Sequence, residues 1–193
     1  MVDSAKKVVR SEGFFHGHLL RAYERGRGVI EQSLRGEQQI FPFQGSAGVG
    51  KTETITGWIS EFTPQQTAQG KITRPVIHVT CPVEPNQRSI ALSIIRGMKG
   101  RVLSRSNTTD VVEQAVEQLK ILEVRTIIFD EVQHLAENLS AAKMKIAVNF
   151  LQFILDQCGV SLILVGLPTA QRFLKHLAVS SRRWTFRLRG SDL

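Results

Sequence analysis

One octapeptide decides the fold of this chain: Gly45-Ser46-Ala47-Gly48-Val49-Gly50-Lys51-Thr52. It fits the pattern G-x-x-x-x-G-K-[ST] at every fixed position, and that pattern is typical of a loop that binds phosphate. Glycines let the backbone bend tightly, and the bent backbone directs several N–H groups at phosphate oxygens. We expect all eight residues, and Glu53 after them, to bind a nucleotide. Lys51 would reach the β- and γ-phosphates, and the Thr52 hydroxyl would ligate Mg²⁺.

The residues on either side of the octapeptide agree with this interpretation. A phosphate-binding loop follows a strand and leads into a helix. Residues 40–43 form a short apolar run of strand formers, although Pro42 weakens it as a central strand. After the loop, Ile55, Trp58 and Ile59 recur at helical spacing and predict a buried helix face. Trp58 on that face is more typical of a core residue than of one that stacks on a base.

A second motif lies about 80 residues further along the chain. Residues 124–131 read Val-Arg-Thr-Ile-Ile-Phe-Asp-Glu, an apolar strand that ends in two acids. The Ile-Ile-Phe run is typical of a strand that is covered on both faces in a parallel sheet. Ligands of open α/β sheets lie beyond the carboxyl ends of the strands. Asp130 is therefore placed to hold Mg²⁺, and Glu131 to act as a general base on water.

Each motif has a plainer interpretation when it is taken alone. The first could be a glycine-rich turn, and the second an ordinary strand end with solvated acids. Their occurrence together favours a nucleotide site. The chemistry of the residues leaves ATP and GTP equally open.

Length and composition restrict the class of protein. The 193 residues suffice for one α/β domain with a core. Lysine and arginine exceed aspartate and glutamate by 25 − 17 = 8, which favours a polyanionic partner, nucleic acid first, although net charge also serves solubility. Cys81 and Cys158 form no C-x-x-C pair. With no apolar run of membrane length and no apolar signal region, we expect a cytoplasmic protein without a membrane partner.

Predicted strands and helices alternate along the rest of the chain. Residues 13–37 are expected to be mainly helical, with interruptions at Gly26 and Gly28, and residues 65–74 to form a loop. Further strands are expected at residues 75–80, 160–166 and 184–188, and further helices from Asn86, from Thr108, before Gly159 and at residues 169–176. This alternation predicts a three-layer α/β fold with a mostly parallel sheet of five strands. We divide the chain into a helical lead-in, residues 1–38, and a nucleotide-binding core, residues 39–193.

The chain resembles the AAA+ ATPases, and within them the TniB/TnsC-type transposition ATPases, which are relatives of the phage MuB target-selection protein. Four segments carry the resemblance: the octapeptide, residues 128–135, residues 162–168 and residues 181–183. The Asp-Glu-x-Gln-His-Leu string that begins at Asp130 is the most telling, because it is frequent in this family and in related secretion ATPases. The similarity spans roughly residues 13–188.

The resemblance implies a P-loop NTPase fold of the AAA+ type that uses ATP with Mg²⁺. It also implies ATP-dependent oligomerisation, as a ring or helical filament, on double-stranded DNA. The assembly would recruit a transposase with the help of a target-selection adaptor, and hydrolysis would release it. Arg182 or Arg183 would act as a finger on ATP bound to the neighbouring subunit, which makes hydrolysis depend on assembly. Salt-sensitive contacts to DNA phosphates are expected from four residues: Arg96, Lys99, Arg101 and Arg105.

The sequence departs from the family pattern in two places. The family often has Gly-Thr-Pro after the fourth strand, whereas Leu167 here has no side-chain donor, so we expect slow hydrolysis. The sequence ends at Leu193, just past the fifth strand, so we expect the helical lid of an AAA+ module to be missing.

Two other functions remain open at this point. One is a secretion- or envelope-associated AAA+ ATPase that remodels protein partners without DNA. The other is a signalling or scaffold ATPase that uses the nucleotide as a conformational switch. Stimulation of hydrolysis by DNA would separate the transposition ATPase from both.

Overall fold

Apolar strands form the centre of the molecule. A computed structural model describes residues 16–102, 106–137, 139–180 and 185–186. The helices are α1 (His16–Leu34), α2 (Lys51–Glu61), α3 (Gln87–Gly97), α4 (Thr108–Ile121), α5 (Ala141–Cys158) and α6 (Gln171–Ser180). The strands are β1 (Gln39–Gln44), β2 (Gln65–Gln66), β3 (Ile72–Thr73), β4 (Val76–Thr80), β5 (Thr126–Asp130), β6 (Ser161–Gly166) and β7 (Thr185–Phe186). Two 3-10 segments, Val132–Leu135 and Pro168–Ala170, follow β5 and β6.

The central sheet has the strand order β4-β5-β6-β1-β7, and all its pairings are parallel. Parallel strands end at the same edge of a sheet, so the two predicted motifs, which follow β1 and β5, lie at one edge. β6 lies between these two strands, and its end at Gly166 is therefore the neighbour of both motifs. The predicted parallel five-stranded sheet is confirmed.

Helices cover both faces of the sheet. Side chains along each strand alternate in direction, so the apolar strands present apolar groups on both faces. On one face, α1 and α2 pack against Phe43, Ile128 and Val165. On the other face, α3 to α6 pack against a cluster that includes Phe129 and Leu164. The predicted three-layer arrangement is confirmed.

Three helix boundaries have clear chemical causes. Asn86 begins α3 with a capping box, in which its side chain accepts the Ser89 N–H and the Ser89 hydroxyl accepts the Asn86 N–H. Asn107 and Asp110 form the same arrangement at the start of α4. Gly159, with a φ of 64°, ends α5 in the left-handed conformation that favours glycine.

Three local predictions differ from the structure. Helix α1 continues through Gly26 and Gly28 instead of breaking there. Residues 65–74 contain the antiparallel pair β2–β3, which turns at Gly70. The helix expected at residues 169–176 begins later, at Gln171, and follows a 3-10 segment. The division of the chain after residue 38 remains a prediction. Among the described residues, no helix is both long and apolar enough to cross a membrane.

Candidate nucleotide-binding site

The predicted phosphate-binding loop leaves β1 and ends where α2 begins. The Gly45 N–H donates to the Gly166 carbonyl at 3.1 Å, which ties the start of the loop to the end of β6. Gly48 and Gly50 have φ values of 78° and 89°, in the left-handed region that L side chains rarely adopt. A Cβ atom on Gly50 would also lie 2.8 Å from Leu19 Cδ2 on α1. The glycines of the motif are therefore needed for the curvature of the loop and for the packing of α1 against it.

The Lys51 side chain folds back into the curve of the loop. Its ammonium group donates to the Gly45 carbonyl at 2.9 Å and to the Ser46 carbonyl at 2.7 Å. Ser46, Ala47 and Gly48 are exposed at the tip of the loop. The positive charge and the amino end of α2 together favour an anion at this place.

The two residues expected to hold Mg²⁺ lie on α2 and at the end of β5. Thr52 is exposed in the first turn of α2, as is Glu53, and Asp130 ends β5. A hydroxyl and a carboxylate are the hard oxygen ligands that Mg²⁺ prefers. No group of three or more His, Cys, Asp or Glu side chains that could hold a metal occurs within the described ranges. Thr52 and Asp130 would supply two ligands, and Mg²⁺ in nucleotide sites usually takes the others from substrate phosphates and water.

Asp130 is held as a carboxylate. Its Oδ1 accepts the Glu131 backbone N–H at 2.8 Å, and its Oδ2 lies 3.6 Å from His78 Nε2. Burial works to raise the pKa of Asp130, but the His78 ring, the Glu131 N–H and the Lys51 charge outweigh it and hold that pKa below its ordinary value. The side chain is therefore charged at neutral pH and suited to a cation.

His78 lies in the middle of the strand predicted at residues 75–80, and from that place alone the sequence predicts a packed residue. It is half-buried and faces Asp130. The register of the sheet explains this, because Thr80 on β4 pairs with Asp130 on β5, and His78 points to the same face as Thr80. The sequence does not show that β4 pairs with β5, and it is this pairing that places His78 beside Asp130.

Glu131 has an unusual backbone for a residue with a side chain. Its φ and ψ are 58° and 39°, in the left-handed region. Such strain persists where the surroundings fix it, and it is concentrated at functional sites. The Gln133 side chain donates to the Glu131 carboxylate through Nε2 and accepts the Leu167 backbone N–H through Oε1 at 3.1 Å. In the sequence, Gln133 stands out only as a member of the Asp-Glu-x-Gln-His-Leu string.

His134 and Cys81 join the segment after β5 to the segment after β4. His134 Nδ1 lies 3.2 Å from the Cys81 carbonyl, and the Cys81 N–H donates to the Asp130 carbonyl at 2.9 Å. Burial, together with the charges of Asp130 and Glu131, raises the pKa of the Cys81 thiol, which stays protonated. These contacts hold the carboxyl ends of both strands in place.

The residues proposed to contact DNA lie on a different part of the molecule. Arg96 is in the last turn of α3, and Lys99 and Arg101 follow it; all three are exposed and form no ion pair within the part of the chain that the structure describes. Arg105 lies outside the described residues, as do the two candidates for the arginine finger, Arg182 and Arg183. Their roles remain predictions.

The loop, the acids at the end of β5 and the order of the sheet define a class of protein: a P-loop nucleotide-binding domain of the AAA+ type. The sequence profile of a family described as bacterial TniB protein matches residues 22–188. The chain therefore belongs to the TniB family.

Solved structures with a similar fold include three archaeal proteins. The ORC1 protein of Aeropyrum pernix in complex with DNA has a TM-score of 0.61 and 21% identity, over 83% of this chain and 42% of that one. Cdc6p from Pyrobaculum aerophilum has a TM-score of 0.59 and 20% identity, over 91% and 46% of the two chains. The ORC2 protein of Aeropyrum pernix, solved as ADPNP-ADP complexes, has a TM-score of 0.55 and 17% identity, over 89% and 48%.

At these identities the likeness shows the fold alone. The chain spans less than half the length of each of these three proteins. Comparison with curated proteins found no match in sequence.

Proposed function

We propose that this protein is an ATP-dependent, DNA-binding regulator of transposition. It oligomerises on double-stranded target DNA, recruits or activates a transposase, and disassembles when ATP is hydrolysed. The observation that carries the proposal is the match to the TniB family over residues 22–188, in a chain whose two nucleotide motifs lie at one edge of one sheet. The cytoplasm is the proposed compartment.

The two motifs of the nucleotide site have different roles. The loop N–H groups and the Lys51 ammonium bind the phosphates, while Thr52 and Asp130 hold Mg²⁺. Bound Mg²⁺ supplies neutralisation of the charge on the β- and γ-phosphates. Adenine as the base is supported by the family and by the ADPNP-ADP complexes of the similar ORC2 structure.

Hydrolysis is proposed to depend on Glu131 and on a neighbouring subunit. Glu131 accepts a proton from the attacking water. Arg182 or Arg183 of an adjacent copy stabilises the charge that develops on the γ-phosphate, so that ATP turns over in the assembly. Leu167 contributes no side-chain donor, which supports slow turnover.

DNA binding is supported by charge and by fold. The chain carries a formal net charge of +8, and the exposed Arg96, Lys99 and Arg101 are candidates for phosphate contacts. Arg105 belongs to the same proposed patch. The ORC1 protein of similar fold was solved in complex with DNA. Phosphate contacts position a protein without reading sequence, so target choice requires an adaptor.

Electron microscopy tests the proposal directly. The protein is mixed with double-stranded DNA and a non-hydrolysable ATP analogue, beside a sample without nucleotide and the Lys51→Ala variant. We expect rings or filaments on DNA only with the nucleotide, and their loss in the variant. Absence of DNA association at low salt, in protein that binds the analogue, would contradict the proposal and favour remodelling of protein partners.

A further inference from the structure

We propose that Gln133 is a positioning residue for the Glu131 carboxylate, and that it fixes this carboxylate relative to the end of β6. The inference rests on the proposed ATPase function, because it concerns the residue that acts as the general base. Gln133 makes two directed contacts at the edge of the nucleotide site.

The hydrogen bonds of Gln133 determine the orientation of its amide group. Nε2 donates to Glu131 Oε2, and Oε1 accepts the Leu167 N–H. The opposite orientation would place a carbonyl oxygen against a carboxylate and an NH₂ group against an N–H, so both contacts would be lost. Gln133 is 5% exposed, so its amide has little access to water as a substitute partner.

The close approach of Gln133 to β6 depends on Gly166. A Cβ atom there would lie 2.7 Å from Gln133 Oε1 and 3.1 Å from the Val132 backbone nitrogen. A larger residue would push the segment after β5 away from β6. The small residue at this position therefore allows the side chain of Gln133 to reach the Leu167 N–H.

The same end of β6 is tied to the phosphate-binding loop. The Gly166 carbonyl accepts the Gly45 N–H at 3.1 Å, and Gln44 Nε2 lies 3.4 Å from the Leu167 carbonyl. A continuous set of hydrogen bonds thus leads from the loop, through Gly166 and Leu167, to Gln133 and Glu131. Leu167 takes part through its backbone, so the lack of a side-chain donor does not interrupt the connection.

A flexible carboxylate at the end of a strand samples several rotamers, and one of them places it against the water to be activated. The donor of Gln133 restricts these rotamers and leaves the phosphate-binding residues untouched. Loss of Gln133 should therefore slow hydrolysis and leave nucleotide affinity unchanged. A displacement of about 1 Å at a reacting group costs up to about 10²-fold in rate.

Two variants separate the contact to Glu131 from the contact to Leu167. Gln133→Ala removes both, whereas Gln133→Glu keeps an acceptor for the Leu167 N–H and removes the donor to Glu131. ATP hydrolysis and ATP-analogue affinity are measured for each assembled protein. We expect turnover to fall by about 10- to 100-fold in both variants, with affinity within about threefold of wild type. Thr169→Ala is the matched control and should keep wild-type turnover. Thr169 lies in the 3-10 segment after β6, and the substitution removes its exposed hydrogen bond to Glu137.

A double variant tests whether Gln133 acts through Glu131. Glu131→Gln/Gln133→Ala should turn over no more slowly than Glu131→Gln alone, since the group that Gln133 positions is already gone. Wild-type turnover in Gln133→Glu, or additive losses in the double variant, would overturn the inference and leave the proposed function standing. If Gln133→Ala does not fold, Gln133→Met, which has nearly the same length and places no second charge beside Glu131, decides the question. A wild-type assembly that binds ATP without any hydrolysis would refute the proposed ATPase itself.

Discussion

Asp130 and Glu131 are neighbours in the sequence, yet the structure gives them different surroundings. The Asp130 side chain is 16% exposed; it accepts the Glu131 backbone N–H, and the His78 ring lies 3.6 Å from it. Glu131 turns out of the strand through a left-handed backbone and meets the amide of Gln133. The first carboxylate is suited to a fixed charge role, and the second to proton transfer.

Tyr23 is the residue for which the structure predicts the clearest titration. It is 5% exposed, and its hydroxyl donates to Glu61 Oε2 at 3.0 Å. Burial first, and then the Glu61 carboxylate, raise the pKa of Tyr23 to about 12. Because the chain contains one tyrosine, phenolate absorbance reports this residue alone. We expect a midpoint near 12 in the folded protein and near 10 in denaturant, as measured by ultraviolet absorbance.

The same shift predicts the direction of a change in stability. The folded state favours the neutral phenol, so the stability that Tyr23 contributes is fully present below pH 10 and is lost as the pH rises toward 12. Tyr23→Phe should show a smaller loss over that window in urea unfolding. A folded-state midpoint near 10 would contradict the buried contact with Glu61.

At the scale of elements, the contact between α1 and α2 depends on small residues. A Cβ atom on Gly26 would lie 2.1 Å from Trp58 Cζ2, and one on Gly57 would lie 2.7 Å from the Tyr23 ring. Trp58 is fully buried, and its Nε1 donates to the Tyr23 carbonyl at 3.0 Å. The helix that precedes the sheet is thus joined closely to the helix that carries Lys51.

Gly26→Ala should destabilise the protein, because the added methyl group has no space against a fully buried indole. Overpacking of this kind costs about 1–3 kcal/mol. Gly28→Ala is the matched control, since nothing lies within 4 Å of its Cβ position on the same helix. Its free energy of unfolding should rise by up to about 1 kcal/mol, from helix propensity. Equal effects of the two substitutions in urea unfolding would argue against the packing of α1 on Trp58.

Helix α4 shows how much of an element the sequence predicted. Its position and its start at Thr108 are as expected, because the polar residues that open it are a local signal, and the structure adds Asn107 as the cap. Helical spacing in the sequence predicts a buried face of Val112, Ala115, Val116, Leu119 and Leu122. Ala115 and Leu119 are fully buried as expected, the other three are half-buried, and the fully buried Val111 was not predicted. The rotation of the helix is set by its neighbours α3 and α5, which periodicity alone does not describe.

At the scale of the whole molecule, the distribution of charge predicts the salt dependence of DNA binding. Replacing Arg96, Lys99 and Arg101 by glutamine should weaken binding equally on different DNA sequences, because phosphate contacts carry no sequence information. The slope of log affinity against log salt should fall by up to about 2.7 if all three contact phosphates. Titrations at several salt concentrations, followed by fluorescence anisotropy, measure both effects.

The control removes the same charge elsewhere. Lys143, Lys145 and Lys175 are exposed on α5 and α6, and their replacement by glutamine lowers the net charge equally. This control should change the salt slope less. Equal losses in the two triple variants would show that net charge, and not the patch after α3, attracts DNA.

The amino-acid sequence by itself determined the order of the elements, the phosphate-binding loop and the acids after β5. These signals are local, since they depend on residue types at fixed spacing. The order of the strands was decided only by the tertiary structure, which places β6 between β1 and β5. That order brings His78 to Asp130, and Leu167 and Gln133 to Glu131. Such contacts join residues far apart in sequence and depend on sheet register, which no local pattern contains.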